Sequence, residues 1–340
     1  MTVPVVKAKP APVPELESAS HVLVIKPSSL GDIVHALPTV ALIKAAQPAA
    51  QIRWVANTEW VPVLRGNTDL NSVIPFPRSR MRGPLGLFKF VSWSRVLREP
   101  AVPDLVIDLQ GLLRSGLMAK RSKGGLVVGL SDAREGAGFF HHRKVEVEPG
   151  AHAVDRYLAV ARALGAVVPK DDARLSFKLP KLRPEAEVPD SYVLLHPFSR
   201  GEGKSLSAAA VRRFCEAMGD TPVLLVGRGG PELGDLPPNV GNWIGRTEIA
   251  ELAWLMANSE FNVSVDSGPA HMAAAVGENM LAIHSWSDPR KVGPYRKRAW
   301  VWKGGQFRRV GEIDAEFADS GGELPGEEDM ERVAEHIALS

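Results

Sequence analysis

The chain has 340 residues, of which 45% are hydrophobic and 24% charged, a net charge of +2 and one cysteine, Cys215. That is room for about two domains of ordinary size. It excludes a disulfide-stapled fold and a cysteine-based zinc site, and no apolar run approaches the roughly 18 residues of a spanning helix. The lone cysteine fits a reducing, cytoplasmic setting.

Residues 1–20 are rich in Pro, Ala and Val and lack the continuous apolar core of a secretory signal, so they read as a flexible tail. His21–Lys26 (HVLVIK) predicts a short buried strand, 27–32 (PSSLGD) a turn, and 33–46 a helix. Strands follow at 51–55, 105–108 and 126–130, with a helix from Leu112 and another over 152–164 that stops at Gly165. Residues 166–190 hold several prolines and no periodicity, which places a linker at 171–190 between lobes at 21–170 and 191–320. Beyond it the pattern restarts. Strands are predicted at 192–196, 222–226, 261–265 and 280–284, and helices at 208–218, 249–257 and 269–276. A terminal helix is expected within 321–340, over 327–339. Short apolar strands alternating with helices predict an α/β chain of two Rossmann-like lobes, with parallel sheets facing across a cleft.

The net charge conceals two opposite halves. Residues 1–170 carry 22 Lys/Arg against 13 Asp/Glu, and residues 171–340 carry 19 against 26. The basic half is expected to meet something anionic. Without a nucleic-acid-binding motif, a small anionic substrate is the better fit than nucleic acid.

Four segments have the composition of sites. The turn Ser28-Ser29-Leu30-Gly31-Asp32 follows the first strand, where open α/β sheets bind ligands. Asp32 there is either a helix N-cap or a catalytic carboxylate, and His35 one turn on is either packed or a second polar group. Asp266-Ser267-Gly268-Pro269-Ala270-His271 opens a helix of small residues, either plainly capped or an anion site. Lys204, in the loop Ser199-Arg200-Gly201-Glu202-Gly203-Lys204, is either solvated or placed to meet a phosphate. The stretch 78–98 holds Arg78, Arg80, Arg82, Lys89, Arg95 and Arg98 and no acid, partly as loop, with Phe88, Phe90 and Trp93 between them. No strongly amphipathic anchor helix is evident, so any membrane contact should be peripheral and salt-sensitive.

Taken together, VLVIKPSSLGDIVHALP, VIPFPRSRMR, VIDLQGLLRS, DARE, FFHHRK, HAVDR, SVDSGPAHMAAA and SDPRKVGPY resemble glycosyltransferase family 9, the lipopolysaccharide heptosyltransferases, and most of all its heptosyltransferase I members. The resemblance covers most of residues 21–295. It implies a GT-B fold and inverting transfer of L-glycero-D-manno-heptose from an ADP-activated donor, with no metal or other cofactor. It further implies a Kdo sugar on lipid A as acceptor, and work at the cytoplasmic face of a Gram-negative inner membrane. By the same resemblance Asp32 is the catalytic residue. Lys204, Asp266, Ser267, Gly268 and His271 bind the donor, with Glu251 ahead of Glu248 for its ribose. Ser29, Gly31, Arg80, Arg82, Arg114 and Arg134 lie on the acceptor side.

The chain departs from the family at Ser205-Leu206-Ser207 and at Ile283-His284-Ser285-Trp286, where His284 and Trp286 are expected to alter the wall of the nucleotide pocket. The alternatives are another nucleotide sugar or a later core acceptor, and a silent nucleotide- or glycan-binding module. Nicotinamide redox chemistry is disfavoured by the missing G-x-G-x-x-G fingerprint.

Overall fold

The computed structural model describes residues 16, 18–172, 175–201 and 203–339. The first lobe runs through β1 (His21–Ile25), α1 (Leu30–Ala46), β2 (Gln51–Asn57), β3 (Ser72–Phe76), α2 (Gly86–Trp93), β4 (Leu105–Asp108), α3 (Leu113–Ser122), β5 (Leu126–Leu130), β6 (Arg143–Val145) and α4 (Ala153–Ala163). Its six strands are all parallel, in the order β3-β2-β1-β4-β5-β6. β1 and β4 are buried on both faces and carry unbroken apolar runs, as a sheet covered by helices requires.

The second lobe contains β7 (Val193–His196), α5 (Ala208–Ala217), β8 (Val223–Leu225), β9 (Val240–Asn242), α6 (Ile249–Asn258), β10 (Phe261–Val265), α7 (Gly268–Val276), β11 (Met280–Ile283), β12 (Trp300–Lys303), β13 (Gln306–Arg309) and α8 (Glu327–Ala338). Its sheet runs β13-β12-β11-β10-β7-β8-β9, parallel except for the β12–β13 hairpin. Gly304 and Gly305 turn that hairpin at φ +55° and +77°, the positive-φ pair that a two-residue primed turn needs. α8 packs on α5 through Met330, Val333, Ala334 and Ile337.

Each sheet reverses its strand order once, between β1 and β4 and between β7 and β10. The crevice outside the carboxyl ends of strands at such a point is where an α/β sheet receives ligands. The turn at 27–32 leaves the first sheet there. The loops at 197–204 and 266–268 leave the second sheet at its own reversal. α1 and α7, which open from these loops, pack against each other and join the lobes.

The structure corrects the sequence reading at several places. Of the expected tail, residues 1–15 and 17 lie outside the described residues. Leu16 and Ala19 are buried in the core, and the amides of Ser20 and His21 both donate to Asp104 Oδ2 at 2.9 Å, so the chain is anchored before β1. The 171–190 linker is strapped down: Lys178 Nζ meets Asp69 Oδ1 at 2.5 Å, and Leu182 N donates to Ala250 O at 3.0 Å. β3, β6, β9, β12, β13 and α2 were not legible as elements. β3 and β9 are edge strands, and β3 carries Pro75, which only an edge tolerates well.

Candidate active site

Ser29 is the N-cap of α1 and Asp32 is its N3 residue, so Asp32 is not itself the cap. Asp32 Oδ2 accepts Ser29 N–H at 3.0 Å and Ser29 Oγ–H at 2.8 Å, the reciprocal half of a capping box. Its other oxygen faces Tyr157 Oη, which donates at 3.2 Å from α4, and Lys26 Nζ at 3.6 Å from the end of β1. The Asp32 side chain stays 39% exposed while Lys26 behind it is buried, so the carboxylate is held from the back and open at the front. Burial works to raise the Asp32 pKa. The Lys26 ammonium and the Ser29 and Tyr157 hydrogen bonds outweigh it, and the group lies below the usual carboxylate range. Burial in turn draws Lys26 below its ordinary value, against the pull of Asp32 and Asp108.

In the second lobe the loop after β7 meets the loop after β10. Lys204 Nζ bonds Asp266 Oδ2 at 2.6 Å and lies 4.4 Å from the centre of the Trp286 ring. Asp266 Oδ2 also accepts Ser287 Oγ–H at 2.7 Å, and Ser287 Oγ is 2.9 Å from His284 Nδ1. Lys303 Nζ pins this loop by donating to the carbonyls of Ser285 at 2.5 Å and Ser287 at 3.0 Å. Burial would raise the Asp266 pKa, but His284, Lys204 and Ser287 together hold it below the ordinary range. His284 is buried beneath Asp266 rather than in a pocket wall, which corrects the expectation from sequence. Trp286, by contrast, is exposed beside Lys204.

The second departure from the family also has a local cause. Ser205 Oγ closes its loop on Ser199, donating to O and accepting from N at 3.0 Å each. Leu206 is buried, and Ser207 Oγ caps α5 by accepting Ala210 N–H at 3.1 Å.

A cavity of about 380 Å³ lies between the lobes. Ser29 and Gly31 line it from one side, Ser267 and Gly268 from the other, with Trp60, His196, Phe198, Arg200 and Glu248 around them. Its size is within the range of small-molecule sites. Arg200 reaches across its mouth to the Trp60 ring at 5.4 Å. Glu202 lies outside the described residues.

Glu251, expected at the ribose, does not line this cavity. Its Oε2 accepts Glu248 N–H at 2.8 Å, capping α6, whereas Glu248 faces the cavity. His271 is likewise not at the cavity surface. Its ring packs on Gly31 and lies 4.1 Å from the His35 ring, which is 5.3 Å from His152. His35 therefore packs at the lobe junction and makes no hydrogen bond to Asp32.

The four arginines expected on the acceptor side leave the first sheet at three strand ends: Arg80 and Arg82 after β3, Arg114 after β4 and Arg134 after β5. All four are exposed, and among the described residues none forms an ion pair. Beneath them Asp108 ties the loop: Oδ1 accepts Gln110 N–H and Gly111 N–H at 3.0 Å, and Oδ2 meets Ser115 Oγ at 2.9 Å and His141 Nε2 at 3.0 Å. Lys26, Tyr157, Ser287 and Lys303 went unremarked in sequence. The signal available for Lys26 was a lone charge closing an apolar strand just before the site turn.

The sequence profile of glycosyltransferase family 9 (heptosyltransferase) matches residues 92–310. Lipopolysaccharide heptosyltransferase 1 of Salmonella typhimurium is 28% identical over 292 residues, spanning 82% of this chain and 92% of that protein. The Pseudomonas aeruginosa protein of the same name is 30% identical over 302 residues, spanning 84% of each chain. The solved structure of E. coli heptosyltransferase WaaC with ADP superposes with a TM-score of 0.71 at 24% identity, covering 84% of this chain and 93% of that one. Two facing Rossmann-like lobes of this kind are a GT-B fold, and the chain belongs to glycosyltransferase family 9 (heptosyltransferase).

Proposed function

We propose that the protein transfers L-glycero-D-manno-heptose from its ADP-activated form to the Kdo of a lipid A–Kdo acceptor in lipopolysaccharide core synthesis. The observation that carries this reading is the placement of Asp32. An ionised carboxylate at the carboxyl end of β1 lies across the cleft from the amide groups opening α7, and residues adjoining both line one cavity. The relatives' printed names support heptosyl transfer in lipopolysaccharide synthesis.

The chemistry follows from that placement. The acceptor hydroxyl attacks the anomeric carbon, and its proton passes to Asp32 as the bond forms. The carbon–oxygen bond to the pyrophosphate breaks on the opposite face, which inverts the centre and releases ADP. The reading assigns the negative charge of departing ADP to protein groups and not to a metal. Lys204 and the Gly268 N–H at the start of α7 meet it, since Pro269 has no N–H and Ala270 N–H is donated to Ser267 O. The free guanidinium groups of Arg80, Arg82, Arg114 and Arg134 would engage the anionic acceptor. Work at the cytoplasmic face of the inner membrane follows from a lipid-linked acceptor and is part of the same proposal.

Calorimetry with ADP-heptose, UDP-glucose, GDP-mannose and free ADP tests the donor, and mass spectrometry of the product on lipid A–Kdo tests the acceptor. Selective ADP-heptose binding that Lys204→Ala weakens by about tenfold or more is expected, as for loss of a charge-assisted contact. Tighter binding of another nucleotide sugar would overturn the heptose assignment.

A further inference from the structure

Helix α2 presents to solvent side chains of the kind that proteins bury. Its inner face is fixed: Phe90 and Trp93 pack on Phe76 with ring centroids 6.5 and 4.8 Å away, and Trp93 Nε1 donates to Pro75 O at 2.9 Å. Gly86 seats the start of the helix, since a Cβ there would lie 2.2 Å from Met81 O. With helix residues turning about 100° each, Leu87, Val91 and Phe88 fall within one arc away from Phe90 and Trp93. Leu87 is 67% exposed, Phe88 73%, and Leu85 in the preceding turn 59%. Apolar side chains gathered this way form a patch, not the scattered exposure of an ordinary surface.

The surroundings of the patch are basic. Arg78, Arg80, Arg82, Lys89 and Arg95 are exposed around it, and no acid occurs between residues 78 and 98. An apolar stripe with a cationic collar matches the boundary between acyl chains and anionic headgroups. Among the described residues no helix is long and apolar enough to cross a membrane, so a surface contact of this kind is what the described fold offers. The patch also adjoins the acceptor side: Arg114 lies 5.8 Å from the Phe76 ring that anchors α2.

We infer that α2 and the turn before it seat the first lobe on an anionic lipid surface, with Leu85, Leu87, Phe88 and Val91 entering the headgroup boundary and Arg78, Lys89 and Arg95 meeting lipid phosphates, while Arg80 and Arg82 stay with the acceptor. The inference extends the proposed function by placing a lipid-linked acceptor beside the cleft. It also revises the sequence expectation that no amphipathic anchor helix exists.

The test is flotation of the full chain with phosphatidylethanolamine–phosphatidylglycerol vesicles and with phosphatidylcholine vesicles. Binding to the anionic vesicles only, reduced by high salt, is expected. The variant Leu87→Gln/Phe88→Ser/Val91→Gln should lower the bound fraction about tenfold or more. It should slow transfer to vesicle-embedded acceptor and leave transfer to the deacylated acceptor unchanged. Because these side chains are exposed, its circular dichroism should match the parent. As a second probe, Phe88→Cys carrying an environment-sensitive dye should brighten and shift to the blue on anionic vesicles, the native Cys215 being buried. Vesicle binding unaffected by the triple variant, equal binding to both vesicle types, or self-association through the patch would overturn the inference. Parent protein that transfers heptose to deacylated acceptor yet ignores vesicles would refute this surface alone. Vesicle binding without heptosyl transfer would refute the proposed function alone.

Discussion

A Cβ added to Gly31 would lie 2.5 Å from Cδ2 of His271 in the opposite lobe. The reverse contact is as tight, since a Cβ on Gly268 would come within 2.7 Å of Leu30 Cδ2. α1 and α7 thus meet through two glycines at their N-termini, which brings the first turn of α1, with Asp32, up to the start of α7. Gly31→Ala should separate the lobes and cost about 1–3 kcal/mol as overpacking. His271→Ala removes the obstructing ring, so the double variant should recover part of the loss. Chemical denaturation of the four-member cycle measures it, and purely additive losses would refute direct contact.

The same junction should make stability depend on pH. Burial lowers His271 to about 4, and burial together with its histidine neighbours places His35 well below 6.5. Both are neutral in the folded protein at pH 7. The unfolded chain takes up these protons as pH falls below 6.5, so stability present above that value is lost progressively toward pH 4. The expected slope is at most about 1.4 kcal/mol per pH unit for each histidine. Thermal melts between pH 7.5 and 5 check this, and His271→Leu should flatten the dependence. An unchanged slope in that variant would remove His271 from the explanation.

Asp32→Asn keeps the shape of the carboxylate and removes the base. Transfer should fall roughly a hundred- to ten-thousand-fold while ADP-heptose affinity holds. Lys26→Met tests the electrostatic setting separately. Lys26 favours the ionised form of Asp32, so without it the carboxyl pKa rises. The acid limb of kcat/KM should therefore move to higher pH in Lys26→Met. A limb that stays in place would show that another group controls it.

The two glutamates at the start of α6 should separate by function. Glu251→Ala removes the carboxylate that accepts Glu248 N–H and should cost about 1 kcal/mol of stability with little change in donor binding. Glu248→Ala should weaken donor binding with little change in stability, because its side chain faces the cavity. Denaturation and calorimetry on both variants would distinguish them. The opposite pattern would return the donor role to Glu251.

Much of this architecture was written locally. β1, β4, β5 and β7 are apolar runs in sheets covered on both faces, so burial alone spells them out. The turns at 27–32 and 266–268 carry small residues, a cap and a helix start, all properties of neighbours in the chain. The weaker elements were illegible for the same reason. β3 and β9 are edge strands, β6 and β9 have three residues each, and α2 (GLFKFVSW) is apolar on both its buried and its exposed side, so its pattern marks no buried face.

The sequence by itself determined the two lobes and the loops of the candidate site, and it nominated Asp32, Lys204 and Asp266 for its chemistry. Strand order and lobe packing decided the rest, because they bring together side chains distant in sequence. Tyr157 reaches Asp32 across 125 positions, and Ser287 reaches Asp266 across 21. They also set Glu248 toward the cleft and Glu251 toward a cap, and left the apolar stripe of α2 facing solvent. A one-dimensional pattern records which residues prefer burial and which cap a helix, whereas the field around a carboxylate depends on what the folded chain places next to it.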